Sequence, residues 1–161
     1  VGTGYEILLT LHLLCAIGGF GYLAYSGLAL QLGRRRGAAI GTLEVLSQIS
    51  GLAELLVYGA FVFGVAAVGS SHSWSFSQAW VIAALALYLA ALGVLHGMIR
   101  PARKEYTALA AALVAKEAPS PGPPPEVDRI ASLERRIVRG WGIFNVVVVA
   151  VVVLMVVRPG A

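Results

Sequence analysis

The sequence predicts an all-α membrane protein: four helices that cross a bilayer as an antiparallel bundle, with a helical and proline-rich segment between the third and fourth. Three observations predict it. Of the 161 residues, 58% are apolar and only 12% charged, with a mean hydropathy of +0.82; soluble domains carry about 25% charged residues. Four apolar runs, 5–32, 45–68, 78–99 and 137–157, are each long enough to span a hydrocarbon core of about 30 Å, which takes roughly 20 residues. The basic residues gather in alternate connections. Backbone polar groups cannot go unpaired in lipid, so the runs are helices rather than open strands.

The first run is too long for a signal-peptide core and follows no basic stretch, so it reads as a helix of the mature chain. Thr3 followed by Glu6 reads as a capping box at its start, and Ser75 followed by Gln78 repeats the pattern before the third run. Pro101 is expected to stop or kink the third helix, and Pro159-Gly160 closes the fourth. The segment 100–136 divides in two: 102–117 is Ala-rich and reads as a helix on the cytoplasmic surface, and 118–125 (APSPGPPP) as a linker.

Charge placement sets the expected orientation. Arg34, Arg35 and Arg36 follow the first run, and eight more Lys and Arg lie between the third and fourth. Three and eight make eleven of the twelve basic residues; Arg158 alone lies on the other side. Basic loops stay in the cytoplasm. The expectation is therefore a multi-pass protein of the bacterial plasma membrane with both termini extracytoplasmic. Tyr5, Trp74 and Trp80 are then expected at the outer interface and Trp141 at the inner one. The net charge of +4 reads first as a topology signal and second as attraction for anionic lipid. No basic face with interleaved aromatics suggests nucleic acid. A single cysteine, Cys15, permits no disulfide within the chain.

Polar side chains at membrane depth are costly, so they are the candidate functional residues. Helical spacing places His12 with Cys15, Ala16, Gly19 and Ser26 on one face of the first helix. Glu54 shares a face with Ser47, Gly51 and Tyr58; Tyr88, Leu92 and His96 form a stripe on the third helix; Asn145 lies one turn from Trp141 on the fourth. Glu54 and His96 have similar depths, which predicts contact between them, either as a structural pair or as a proton- or metal-handling site. His12 and Cys15, spaced i and i+3, could supply two ligands to one metal, and equally are ordinary interior groups. His12 is expected to point into the bundle and to bond another helix. Small residues (Gly18, Gly21, Ala24 and Gly27; Ala60 and Gly64; Gly93 and Gly97) suit close helix approach, within one bundle or across a homo-oligomer. No phosphate-binding loop, CxxC, HExxH or nucleophile elbow occurs.

The stretch SWSFSQAWVIAALALYLAALGVLHGMIRP at 73–101 resembles the third helix of an uncharacterised bacterial family of predicted integral membrane proteins. ERRIVRGWGIFNVVVVAVVVLMVVRPG at 134–160 resembles its last helix, and the LHLL around His12 its first. The resemblance implies a four-helix membrane bundle and no particular activity. More remotely, the LH motif is similar to the copper-resistance D-type proteins and to the membrane protoporphyrinogen oxidases, where the matching histidine would bind b haem. The latter have a Lys three residues before that His; here it is Leu9. Three functions follow as expectations: an accessory or interaction subunit, alone or in a larger membrane complex; a haem- or metal-binding redox protein using His12; and a small transporter using Glu54 and His96.

Overall fold

A computed structural model describes residues 2–115 and 125–159. Most of the proline-rich linker lies outside the described residues. The described chain is helical: α1 Thr3–Arg35, α2 Ala39–Ser70, α3 Ala79–Val94, a π turn Leu95–Ile99, α4 Arg100–Ala115 and α5 Pro125–Val157. Four stretches, Thr3–Gly33, Gln48–Ser70, Ala79–Ala112 and Asp128–Val157, are long and apolar enough to cross a membrane.

Local chemistry explains the ends. The carbonyl of Gly2, not the side chain of Thr3, takes the first free amides of α1, those of Tyr5 and Glu6. The expected capping box is replaced because Thr3 is already helical. α1 closes at Gly37, which holds a positive φ of 71° while the Ala38 amide donates back to the Gly33 carbonyl. That is a Schellman closure, and it needs the one residue without a Cβ penalty. Before α3, Ser75 and Gln78 form half of the expected box: the Ser75 amide donates to Gln78 Oε1. The Gln78 carbonyl then accepts from Val81 and Ile82 and starts the helix.

Pro101 neither stops nor sharply ends the third helix. Proline lacks the amide that would donate to the carbonyl four residues back, and its ring crowds that carbonyl. Here the turn before it widens, and the Arg100 amide donates five residues back to Leu95. The freed Gly97 carbonyl accepts instead from Arg136 Nη2 of α5 at 3.3 Å. α3 thus runs on into α4. The Ala-rich stretch is consequently no surface-lying helix. It packs lengthwise on α5, burying Ala102, Tyr106 and Ala110 with Leu133 and Ile137. Arg129 clamps this hairpin to Glu105 at 2.6 Å, and holds the Glu105 carboxyl below its usual range.

The bundle is two pairs, α1 on α2 and α3–α4 on α5, joined where α1 meets α5 and α2 meets α4. Glycines let α1 approach its neighbours. A Cβ on Gly19 would sit 2.8 Å from the Val57 backbone nitrogen, and one on Gly27 would sit 2.9 Å from Trp141 Cβ. On α5, a Cβ on Gly140 would lie 2.7 Å from Ile99 in the π turn. Aromatic rings then tie the pairs together in sequence: Phe61 stacks on Tyr88, Tyr88 meets Phe20 edge-on, Phe20 meets Phe144, and Phe144 meets Trp141. Trp141 is buried in this chain rather than set in an interfacial belt, because Gly27 leaves it a notch. Trp80 is buried too, edge-on to Trp74, with Arg158 over the Trp74 ring at 4.6 Å. Most other large apolar side chains face outward, as a bilayer permits.

Gly19→Ala should lower the melting temperature of the detergent-solubilised protein, at a cost of about 1–3 kcal/mol, because the obstacle is backbone rather than a movable side-chain end. Gly93 has open space around it, so Gly93→Ala should leave the melt unchanged or raise it. Equal loss in both would show that these glycines act through helix propensity and not through packing.

Candidate functional site

The intramembrane polar residues separate into three places. The first lies between α1 and α2 in the half of the bundle holding the termini. His12 projects from α1 onto the small-residue surface of α2, where its Nδ1 lies 2.6 Å from the Ala60 carbonyl. A carbonyl only accepts, so Nδ1 carries the proton and donates. The ring fills the notch at Gly64, where a Cβ would stand 2.8 Å from Nδ1. Cys15 fills the next notch down: a Cβ on Gly59 would stand 3.0 Å from its sulfur. His12 and Cys15 are thus spent on packing against α2. Among the described residues no three His, Cys, Asp or Glu groups gather as a metal site would require. The α2 side of the His12 ring leaves no room for a flat macrocycle, so that wall does not fit a haem.

The second place lies between α2 and the π turn. Glu54 and Tyr58 are one turn apart on α2, and Arg100 and His96 are one turn apart on the facing strand of helix. They pair in antiparallel order. Glu54 Oε2 lies 3.6 Å from Arg100 Nη1, and the Tyr58 hydroxyl lies 2.8 Å from His96 Nε2. His96 Nδ1 donates to the Leu92 carbonyl at 3.1 Å, which makes Nε2 the acceptor for the Tyr58 hydroxyl when the ring is neutral. In place of a direct Glu54–His96 contact, each of the two groups therefore has another partner. The reason is the π turn: the helix continues past Pro101, so Arg100 stays on the α2 side and reaches the carboxylate that a terminated helix would have left to the histidine. Nearer the bundle centre, the Tyr88 hydroxyl donates to the Val57 carbonyl at 3.2 Å. These long side chains bridge a gap, for among the described residues no Cα of α2 comes within 8 Å of one of α3.

The third place is α5. Asn145 is half-buried and makes no hydrogen bond among the described residues. Val146 beside it is 71% exposed and Val149, one turn on, 61%. Gly142, three residues before it, has nothing within 4 Å of where a Cβ would be. Gly21, Gly93 and Gly97 are likewise open, whereas Gly18, Gly27 and Gly64 are filled from within the bundle.

Sequence reading missed two participants. Arg100 was assigned to orientation alone, although its i+4 spacing from His96 marks the same face. Tyr22, whose hydroxyl donates to the Leu46 carbonyl, joins α1 to α2, and its signal was a polar atom within an apolar run. Ser26, already placed on the His12 face, bonds the Tyr22 carbonyl at 2.8 Å within α1 itself.

Four long apolar helices, with His12, Tyr22, Glu54, Tyr58, Tyr88 and His96 bonded inside the bundle, define an integral membrane helical protein. The chain belongs to the family described as predicted integral membrane protein (DUF2269), whose model matches residues 6–159. No curated protein and no solved structure matches it.

The pairing across α2 and the π turn can be measured. In a double-mutant cycle, Glu54→Gln and Arg100→Gln should couple by about 0.2–1 kcal/mol, the range for partly exposed ion pairs. Glu54→Gln and His96→Gln should be additive. Unfolding titrated in mixed micelles supplies the free energies. Coupling in the second cycle and none in the first would reinstate the Glu54–His96 pair.

Proposed function

We propose that this protein is a non-enzymatic accessory or interaction subunit of the bacterial plasma membrane, which works by holding other transmembrane helices. One observation carries this reading. Asn145 lies about 12 Å into the span 137–157, at 1.5 Å per residue, and has no hydrogen-bond partner among the described residues. A carboxamide without a partner in hydrocarbon costs several kcal/mol on transfer scales that lack hydrogen bonding, and water does not reach that depth to relieve it. Side chains of this kind associate helices by bonding across an interface, next to small residues that let the backbones approach. Gly142 and the exposed valines of α5 supply such a surface. A second copy of this chain and a different membrane protein are both consistent with it.

The orientation follows from charge. With eleven of twelve Lys and Arg at the end of the bundle away from the termini, that end is cytoplasmic and both termini are extracytoplasmic. Reporter fusions that fluoresce only in the cytoplasm should stay dark at either terminus and light up when inserted within 118–125. The reverse pattern would sink this orientation.

For the association, single-cysteine labels at exposed positions of α5, read by energy transfer in vesicles or by crosslinking in cells, should report a neighbouring helix. Asn145→Val should lower that association about five- to thirtyfold, since a transmembrane hydrogen bond is worth about 1–2 kcal/mol in model peptides. Asn145→Gln should retain most of it. If the valine variant associates as well as the native chain, with either itself or a co-purified partner, the α5 face is not the interface.

A further inference from the structure

A groove of about 450 Å³ opens between α1 and α2 near their connection, lined by Tyr25, Ala29, Ala38, Gly41, Thr42, Val45 and Leu46. Its depth comes from small residues facing each other across the two helices, Ala29 on one wall and Ala38 and Gly41 on the other. It is open rather than enclosed, and its lining is mostly apolar. The Thr42 hydroxyl in that lining is already committed, since its Oγ1 donates to the Ala38 carbonyl at 2.8 Å. From Tyr25 to the end of α1 the groove face runs about 15 Å along the helix, at 1.5 Å per residue.

The end of this groove is charged. Arg36 continues the row of Tyr25 and Ala29, seven residues past Ala29 and so on the same face. Arg35 adjoins it. Both are exposed, and neither guanidinium makes a hydrogen bond or an ion pair among the described residues. Glu44 is the one carboxylate in the stretch 33–46, which also holds Arg34. The groove is too short to seat a transmembrane helix along its length, yet it suits one hydrocarbon chain lying parallel to α1. What then stands at its mouth meets two cations that have no side-chain partner among the described residues.

We propose that this groove holds one acyl chain of an anionic phospholipid, with the lipid phosphate bound by Arg35 and Arg36. The apolar walls take the chain whatever the headgroup is; the arginines select the charge. The Tyr25 phenol, 63% exposed, flanks the chain at the inner end of the groove. The inference rests on membrane embedding alone and does not depend on Asn145 or on which leaflet the basic end occupies.

Native mass spectrometry of the delipidated full-length protein, titrated with dioleoyl phosphatidylglycerol or dioleoyl phosphatidylcholine, tests it. The first phosphatidylglycerol should bind up to about twenty-fivefold more tightly than the first phosphatidylcholine, about fivefold for each arginine. Each arginine near a membrane surface adds about 1 kcal/mol toward anionic lipid, which is a factor of about five in affinity. Arg35→Gln with Arg36→Gln should therefore bring the two lipids close to parity without abolishing binding of either. Gly41 has open space about it, so Gly41→Phe can fill the groove without disturbing the helix pair. That variant should lose the tight first event for phosphatidylglycerol while its melting temperature holds. Gly41→Leu serves the same end if the phenylalanine variant does not fold. Equal first affinities in the native protein would overturn the proposal. So would a preference for phosphatidylglycerol that survives the filled groove, which would place the lipid elsewhere, or one that survives loss of both arginines.

Discussion

The carbonyl of Gly97 is the point on which the polar interior of this bundle turns. Pro101 cannot donate to it, and hydrocarbon offers no water to do so. Two adjustments answer that single missing amide. The turn Leu95–Ile99 widens, and Arg136 reaches over from α5 to donate to the carbonyl. The wider turn holds Ile99 against α5 at Gly140, where a Cβ would lie 2.7 Å from it. It also sets the rotation of everything that follows. With Arg100 kept on the α2 side, Glu54 finds a guanidinium and His96 is left to Tyr58. One absent N–H therefore decides a helix–helix contact, two polar pairs and the course of α4.

Elsewhere the bundle coheres by a different rule. Lipid tails are as apolar as the side chains, so burial alone gives two helices little reason to meet. What remains is close approach and hydrogen bonding. α1 and α2 use both: the glycines at 18, 19, 59 and 64 receive side chains or backbone from the facing helix, and His12 and Tyr22 satisfy their polar atoms on main-chain carbonyls of α2. α2 and α3 do not approach closely, and aromatic and polar side chains span the distance instead. The result is one tightly joined helix pair and one wider seam. Across that seam sit most of the titratable groups within the membrane.

Because the interior groups are mostly spent on one another, the surfaces left for other molecules are on the outside. Asn145 with Gly142 on α5 and the groove ending at Arg35 and Arg36 are such surfaces. They are far apart in character. One offers a neutral hydrogen-bonding group at mid-membrane depth and the other a hydrocarbon trough with charge at its end.

The sequence by itself determined the class of fold, the number of spanning helices and their approximate limits. The physical reason is that lipid allows backbone only as helix, and 20 apolar residues in a row have few other fates. It also marked His12, Glu54, Tyr58, Tyr88, His96 and Asn145, since polar atoms stand out in apolar runs. It did not determine partners. Spacing places residues on a face, but whether that face meets a neighbour depends on helix rotation and distance. Glu54 and His96 matched in depth and still did not pair, because the π turn at Pro101 brought in Arg100. Trp141 had the position of an interfacial tryptophan and lies buried, because Gly27, more than a hundred residues away in the chain, makes room for it. The Ala-rich helix read as a surface element because its partner, the first turns of α5, follows a proline-rich stretch that local pattern treats as a break. Only the tertiary structure decided these points: each depends on two segments distant in sequence and close in space, and no local propensity carries that information.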